Sequence, residues 1–259
     1  MRIATWNVNS LKARLARVEE WLEYAKPDVL CLQETKLADA DFPGLAFQAL
    51  GYDSAHCGEG RWNGVAILSR VGLDDIVAGF SDQAEDETVE ARLLSATCAG
   101  VRVVTVYVPN GRSVGSEHYD AKLAWLDRIA GHLAATGDRS SPVVVCGDFN
   151  VAPEDRDLYD PGAFVGSTHV TPAERAAVRR LLDWGLVDVF RRLYDDDRLF
   201  TWWDYRAGDF HNHRGMRIDL LLATPPLADR VTFALVDRFA RKGKSPSDHA
   251  PLFADFALD

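Results

Sequence analysis

No apolar stretch in this sequence approaches the roughly 20 residues needed to cross a bilayer; the longest, Val101 to Val108 and Pro142 to Cys146, are far shorter. An apolar signal region with a small-residue cleavage site is also missing, because Met1-Arg2-Ile3-Ala4-Thr5-Trp6-Asn7 passes straight into strand-like alternation. Together these absences predict a cytoplasmic protein without a membrane span. Cysteine is sparse: Cys31, Cys57, Cys98 and Cys146 are widely spaced and form no C-x-x-C pair, so neither a zinc site nor a disulfide framework is expected. Cys31 and Cys146 lie inside apolar strand patterns and read as small buried hydrophobes. There is no Gly-rich phosphate loop, no G-x-S-x-G, no short-period repeat and no low-complexity tract. Positive charge is in short supply too, with 29 Lys and Arg against 39 Asp and Glu, a net −10. That balance argues at first against a polyanionic partner. A total does not locate charges, however, and carboxylates committed to metal ions lower it without repelling a ligand.

The chain has 259 residues, 47% of them hydrophobic and 26% charged, which suits a soluble globular protein with a full core. Short segments rich in Val, Ile and aromatics, bounded by Gly, Pro or Asp, predict ten strands. They are Ile3 to Val8, Val29 to Gln33, Val65 to Ser69, Ala91 to Thr97, Val101 to Pro109, Val143 to Phe149, Leu186 to Phe190, Ile218 to Ala223, Val231 to Val236 and Leu252 to Phe256. Leu11, Leu15, Val18 and Leu22 repeat with helical spacing, as do Leu123, Leu126, Ile129 and Leu133 after Glu117. A third helix starts at Thr171-Pro172-Ala173-Glu174, a capping box with proline in the first turn, and Gly185 ends it. The turn-rich stretch from Pro153 to Thr171 reads as a surface loop. The order of elements predicts an α/β or α+β body of stacked layers, residues 1–259 forming one domain.

Several apolar strands end alike. Val8 is flanked by Asn7 and Asn9; Val29 to Gln33 runs into Glu34; Val103 to Val106 runs into Tyr107 and Asn110; Val143 to Gly147 runs into Asp148 and Asn150; Arg217-Ile218 leads to Asp219. One such residue alone is a turn former or strand-end cap. Five converging on one rim of a sheet make an oxygen-rich site suited to Mg²⁺ or Mn²⁺. Near the C-terminus, Ser247-Asp248-His249-Ala250-Pro251 supplies a histidine, and either Asp219 or Asp248 could orient its ring.

Six segments in order now resemble one family: Trp6-Asn7-Val8-Asn9, Leu32-Gln33-Glu34-Thr35-Lys36, Tyr107-Val108-Pro109-Asn110, Gly147-Asp148-Phe149-Asn150, Arg217-Ile218-Asp219 and Ser247-Asp248-His249-Ala250-Pro251. The set is similar to that of the exonuclease III family of abasic-site endonucleases and runs from residue 2 to about 253. The resemblance implies a four-layer αββα sandwich, two mixed β-sheets packed face to face with outer helices, as in deoxyribonuclease I. It implies a divalent metal held by Glu34, with Asn7, Asn9, Asp148, Asn150 and Asp248 lining the site. Asn9 departs from members that carry Asp there, which removes one negative charge. Asp148 resembles the residue that aligns and deprotonates the attacking water, Tyr107 and Asn150 resemble phosphate-holding groups, and Asp219 with His249 is similar to the family's dyad. Asn110 would add a phosphate contact.

On that reading the partner is duplex DNA with abasic sites or 3′ ends, and the protein acts as a monomer. Arg206, His211, His213, Arg214 and Arg217, and then Arg238, Arg241, Lys242 and Lys244, supply basic clusters beside Asp219 and Asp248. The acidic runs Glu85 to Glu87 and Asp195 to Asp197 are expected on other surfaces. In Trp202-Trp203, strand alternation sends one ring to the core and the other outward. By resemblance Trp202 is the pocket residue, with Met216 and Ile218 completing an apolar slot for a flipped-out abasic sugar. The same fold also serves small-molecule phosphatases and non-catalytic RNA-binding regulators, so fold alone does not fix the substrate.

Overall fold

A computed structural model of the chain describes residues 1–80, 82 and 90–258. The strands are β1 (Arg2–Asn7), β2 (Val29–Gln33), β3 (Asp53–Cys57), β4 (Val65–Ser69), β5 (Asp74–Ala78), β6 (Leu93–Cys98), β7 (Val101–Tyr107), β8 (Val143–Asp148), β9 (Val187–Asp188), β10 (Asp219–Ala223), β11 (Val231–Val236) and β12 (Leu252–Phe256). They form two six-stranded sheets, ordered β11-β12-β1-β2-β4-β3 and β5-β6-β7-β8-β10-β9. Each sheet is mixed: β1 runs parallel to β2 and β7 parallel to β8, while their other neighbours are antiparallel. The helices are α1 (Leu11–Ala25), α2 (Gly44–Ala49), α3 (Glu117–Thr136), α4 (Pro172–Asp183), α5 (Val189–Leu193) and α6 (Pro225–Ala228).

The period of two in each strand sorts side chains into three apolar layers. Ile3, Cys31, Ile67, Val103, Cys146 and Leu221 fill the space between the sheets. Their neighbours Ala4, Trp6 and Leu30 face outward and meet Val18, Trp21 and Leu22 of α1 and Phe47 of α2. On the other sheet Val145, Leu220 and Leu222 meet Leu126 and Ile129 of α3 and Val178 and Leu181 of α4. This is the expected αββα sandwich. Full burial of each large side chain contributes roughly 1.5–3 kcal/mol, so both helix layers are held mainly by these contacts. The four cysteines are free and buried, and among the described residues no helix is long and apolar enough to cross a membrane.

Element by element, the three helices read from periodicity are present. In α4 the Thr171 and Glu174 side chains each bond the other's backbone N–H, and Gly185, just past the C-terminal cap Trp184, has a φ of 122°. The expected strand Leu186 to Phe190 is corrected. Only Val187–Asp188 pairs with β10; the Asp188 side chain then accepts from Arg191 N and starts α5. The apolar spacing of Leu186, Val189 and Phe190 fits both structures, and the aspartate cap decides for the helix. The edge strands β3 and β5 were not expected. β5 is exposed throughout and β3 opens on Asp53 and Ser54, so neither carries the buried alternation that marks a strand in sequence. The run Glu85 to Glu87 lies outside the described residues.

Candidate active site

The inward-facing row that fills the sandwich turns polar at one end of both sheets. Asn7 lies four residues beyond Ile3 on β1, Tyr107 four beyond Val103 on β7, and Asp148 two beyond Cys146 on β8, so period-two alternation sends all three into the same gap. Asp219 begins β10 rather than ending a strand. Antiparallel pairing sets it directly opposite Asp148, as parallel pairing sets Tyr107 beside Asp148. Beneath them the Gln33 amide donates to Thr5 Oγ1 and Thr105 Oγ1, both at 2.9 Å, and joins the two sheets between the apolar core and the site. Gly147 lets β8 reach this point. Its φ is 148° and an added Cβ would stand 1.9 Å from the Val106 carbonyl oxygen, so any side chain there would push β7 and β8 apart.

His249 Nδ1 lies 2.8 Å from Asp219 Oδ2, which settles the orienting partner left open by the sequence. Its Nε2 points toward Asp148 Oδ2, 3.8 Å away. Asp248 faces the other way, accepting from Trp202 Nε1 at 3.1 Å and from Asn9 Nδ2 at 3.1 Å. The histidine loop is fixed to β1, because Ser247 Oγ donates to the Asn7 carbonyl and Trp6 Nε1 to the His249 carbonyl. Asp148 accepts from Asn7 Nδ2 at 2.9 Å and from Asn150 N at 2.9 Å. The same Asn7 amide reaches Glu34 Oε1 at 2.8 Å, so one carboxamide links the two sheets' carboxylates. Asn150 Nδ2 donates to the Val108 carbonyl at 2.9 Å, and Asn110 Nδ2 stands 3.3 Å from Asn150 Oδ1. Glu34, Asn9 and Asn150 all hold φ between 44° and 52°, a left-handed conformation that is costly for Glu.

Burial pushes the Asp148 carboxyl up to about 7, and the Asp219 charge adds to the rise while His249 opposes it. For His249, burial works against the charged form, but Asp219 and Asp148 outweigh it and raise the imidazole to about 10. Burial together with Glu34 and Asp148 also raises the Tyr107 phenol, which therefore stays protonated and can donate. A group poised near neutrality beside a cationic imidazole and a neutral phenol can accept a proton while its neighbours stabilise an oxyanion.

Cation fit is visible at two places. Lys36 Nζ sits 2.8 Å from Glu34 Oε2 and 2.7 Å from Asn9 Oδ1, so a positive group already occupies the oxygen-lined corner at Glu34. Beside the cationic His249, Asp148 and Asp219 bring carboxylate oxygens within 4.8 Å of each other, and the buried Asp219 Oδ1 has no hydrogen-bond partner. Oxygen donors of this kind suit a hard divalent ion. Asn7 is less available than its sequence position implied, since its Oδ1 accepts from the Asn9 N–H.

Beside this cluster Trp202 is half-buried against Met216, Ile218, Ala152 and Leu158, whereas Trp203 is fully buried. Met216 and Ile218 expose only 3% and 2% of their surface, so they form the floor under Trp202 rather than open walls. The basic clusters are thinner than the sequence suggested. Arg217 is completely buried and bonded to Asp157 and Asp188, a structural anchor for the Met216 to Asp219 segment. Arg241 is buried too and donates to the Ser247 and Trp203 carbonyls. Arg206 pairs with Asp204 and Arg214 with Asp209, while His211, Arg238, Lys242 and Lys244 are exposed. Asp195 to Asp197 are exposed as expected. Sequence reasoning missed His169, whose Nε2 lies 3.4 Å from Asn110 Nδ2 and whose Nδ1 is 3.3 Å from Lys122 Nζ. Its φ of 80° belongs to a loop that no periodicity marks.

Comparison with known proteins agrees with this fold. The profile of the Endonuclease/Exonuclease/phosphatase family matches residues 4–249. Exodeoxyribonuclease III of Haemophilus influenzae is 34% identical, over 99% of this chain and all of the relative. An AP endonuclease from Archaeoglobus fulgidus superposes with a TM-score of 0.96 at 40% identity, and a 3′ phosphatase from Neisseria, solved with a product DNA hairpin, with 0.95 at 38%; each comparison covers both chains completely. Sandwich, converging strand ends and full-length similarity together place this chain in the Endonuclease/Exonuclease/phosphatase family, among its exodeoxyribonuclease III relatives.

Proposed function

We propose that the protein is a divalent-metal-dependent DNA repair nuclease that hydrolyses the phosphodiester 5′ to an abasic site and removes 3′-terminal nucleotides or blocking groups from duplex DNA. The observation that carries the reading is the buried Asp148–His249–Asp219 cluster facing Glu34 and Asn7 across the mouth of the sandwich. Mg²⁺ or Mn²⁺ held by Glu34 and the neighbouring carboxylates and amides would supply positive charge to the phosphate and the leaving oxygen. The chain's own groups do the rest. Asp148, held by Asn7 and by the Asn150 N–H, orients a water and takes its proton. His249, cationic and fixed by Asp219, donates from Nε2 to a non-bridging oxygen, and Tyr107 and Asn150 donate beside it. Release of the 3′ oxygen leaves a 3′-hydroxyl and a 5′-phosphate.

Incubation with a duplex bearing one abasic analogue, with Mg²⁺ or with chelator, tests both substrate and metal. Incision only with the metal is expected; phosphate release from small esters without DNA cleavage would favour the phosphatase reading. Glu34→Ala should keep the fold, because the side chain is a rim carboxylate, and should raise the Mg²⁺ concentration for half-maximal activity by about 10- to 100-fold. Circular dichroism and a Mg²⁺ titration decide it, and an unmoved midpoint takes Glu34 out of the metal site.

Trp202 carries the abasic specificity. Its partly exposed ring above Met216 and Ile218 can pack on a sugar that lacks a base, with no base-specific hydrogen bond. Trp202→Ala should cost roughly 1–3 kcal/mol in recognition of abasic duplex and weaken discrimination against intact nucleotides, while metal dependence stays the same. Single-turnover rates on matched abasic and undamaged duplexes measure this; an equal fractional loss on both places the pocket elsewhere.

A further inference from the structure

One buried charge takes no part in the chemistry above. Lys122 of α3 and Glu174 of α4 form an ion pair whose side chains are both 0% exposed. Burial lowers the Lys122 pKa, and the Glu174 charge restores part of it. A buried pair is weak ground for stability, since apolar side chains of equal volume often serve as well or better. What apolar side chains could not do is hold main-chain oxygens. Lys122 Nζ donates to the Asn150 carbonyl at 2.7 Å and reaches the Asn110 carbonyl at 3.3 Å and Thr168 Oγ1 at 3.3 Å. Glu174 in turn accepts from Thr168 Oγ1 at 2.7 Å, from His169 N at 2.9 Å and, through its other oxygen, from Thr171 N and Oγ1. The loop rests on the lysine stem as well: a Cβ on Gly111 would stand 2.9 Å from both Lys122 Cδ and Thr168 Oγ1.

Three loops from separate parts of the chain thus meet on one ammonium, and two of them carry site residues. Asn150 is held in a left-handed conformation, its N–H bonded to Asp148 Oδ1 and its side chain to the Val108 carbonyl. Asn110 faces it. We propose that Lys122 is a positioning residue: by tying the Asn110 and Asn150 main chains to Glu174 it sets where both carboxamides, and the N–H that holds Asp148, stand relative to the scissile phosphate. It touches no reacting atom itself. Misplacement of such groups by about 1 Å can cost about 100-fold in rate.

The inference rests on the nuclease reading for its kinetic readout, so a second readout is independent of activity. Lys122→Met alone leaves Glu174 buried without a countercharge and should lower thermal stability, which either role predicts. Paired with Glu174→Gln, it removes both charges at nearly constant volume and should recover part of the melting temperature, the amide N–H₂ facing an N–H donor where the carboxylate accepted from His169 or Thr171. The double variant should nevertheless keep kcat about 10- to 100-fold below wild type, with KM changed much less. In NMR spectra of the metal-free protein, the side-chain amide resonances of Asn110 and Asn150 should shift. Wild-type kcat and unshifted amides in the stable double variant would overturn the proposal. Should that variant not fold, Lys122→Arg carries the test, because it keeps the ion pair but replaces a point donor with a planar fork. Lowered kcat with moved Asn110 and Asn150 amides supports positioning, and an unchanged pair of readouts refutes it. A wild type inactive on abasic duplex and on 3′ ends would instead remove the nuclease reading, and the amide shifts would still decide the role of Lys122.

Discussion

Asp148→Asn is expected to lower single-turnover cleavage of an abasic duplex by about 10²- to 10⁴-fold, the usual worth of a positioned general base, with little loss of DNA affinity. The substitution keeps the shape of a residue that is 1% exposed and held between Asn7 and Asn150. What it removes is the ability to accept a proton. Burial raises the carboxyl to about 7, so wild-type activity should decline on the acid side of its pH profile as Asp148 becomes protonated, and that limb should be absent in the variant. Comparing k for the chemical step with the affinity measured under chelation separates the two effects. A near-normal rate would show that another group prepares the nucleophile.

The residues of this site were legible in the sequence because each sits where a regular pattern breaks. Asn7, Tyr107 and Asp148 occupy inward positions of strands whose inward positions begin apolar, at Ile3, Val103 and Val144, so polarity at their ends stands out against a period of two. His249 was visible as a motif, but its partner was not. Asp219 and Asp248 are equally plausible along the chain, and only the pairing of β10 with β8 brings Asp219 to Nδ1. The Lys122 and His169 network was illegible for a related reason. Lys122 looks like any polar position on an amphipathic helix, and its burial follows from the 168–171 loop folding over it, a contact between segments with no shared pattern.

Charge was the least readable quantity. A run of Arg along the chain says nothing about which guanidinium points inward, and Arg217 lies between Met216 and Ile218 in sequence yet is anchored by Asp157 and Asp188. Removing one member of that network would leave a buried charge uncompensated and cost on the order of 3–5 kcal/mol, an effect on folding rather than on DNA affinity. Local field from the exposed Arg238, Lys242 and Lys244 belongs to the part of the clusters open to solvent, and it is this part that phosphate neutralisation would use.

Asp219→Asn separates charge from geometry at His249. An asparagine oxygen can still accept from Nδ1, so the ring keeps its orientation, while the buried negative charge disappears. The other carboxylate oxygen, Oδ1, has no hydrogen-bond partner, so the incoming amide N–H₂ must stand there unpaired at a cost of about 1–3 kcal/mol. The larger consequence is electrostatic. Burial disfavours the imidazolium, and the Asp219 charge is the foremost interaction that offsets this and holds the ring up at about 10. Without it, His249 should lose its proton at markedly lower pH and reach the phosphate as a neutral ring. Turnover should then fall by about 10²- to 10⁴-fold, comparable to loss of the orienting carboxylate in other catalytic His–Asp pairs. Titrating the His249 resonance in the metal-free protein, alongside single-turnover rates at neutral pH, tests both halves. A ring that titrates as in wild type, with rates to match, would mean that Asp148 alone sustains the imidazolium and that Asp219 serves only to pack beneath it.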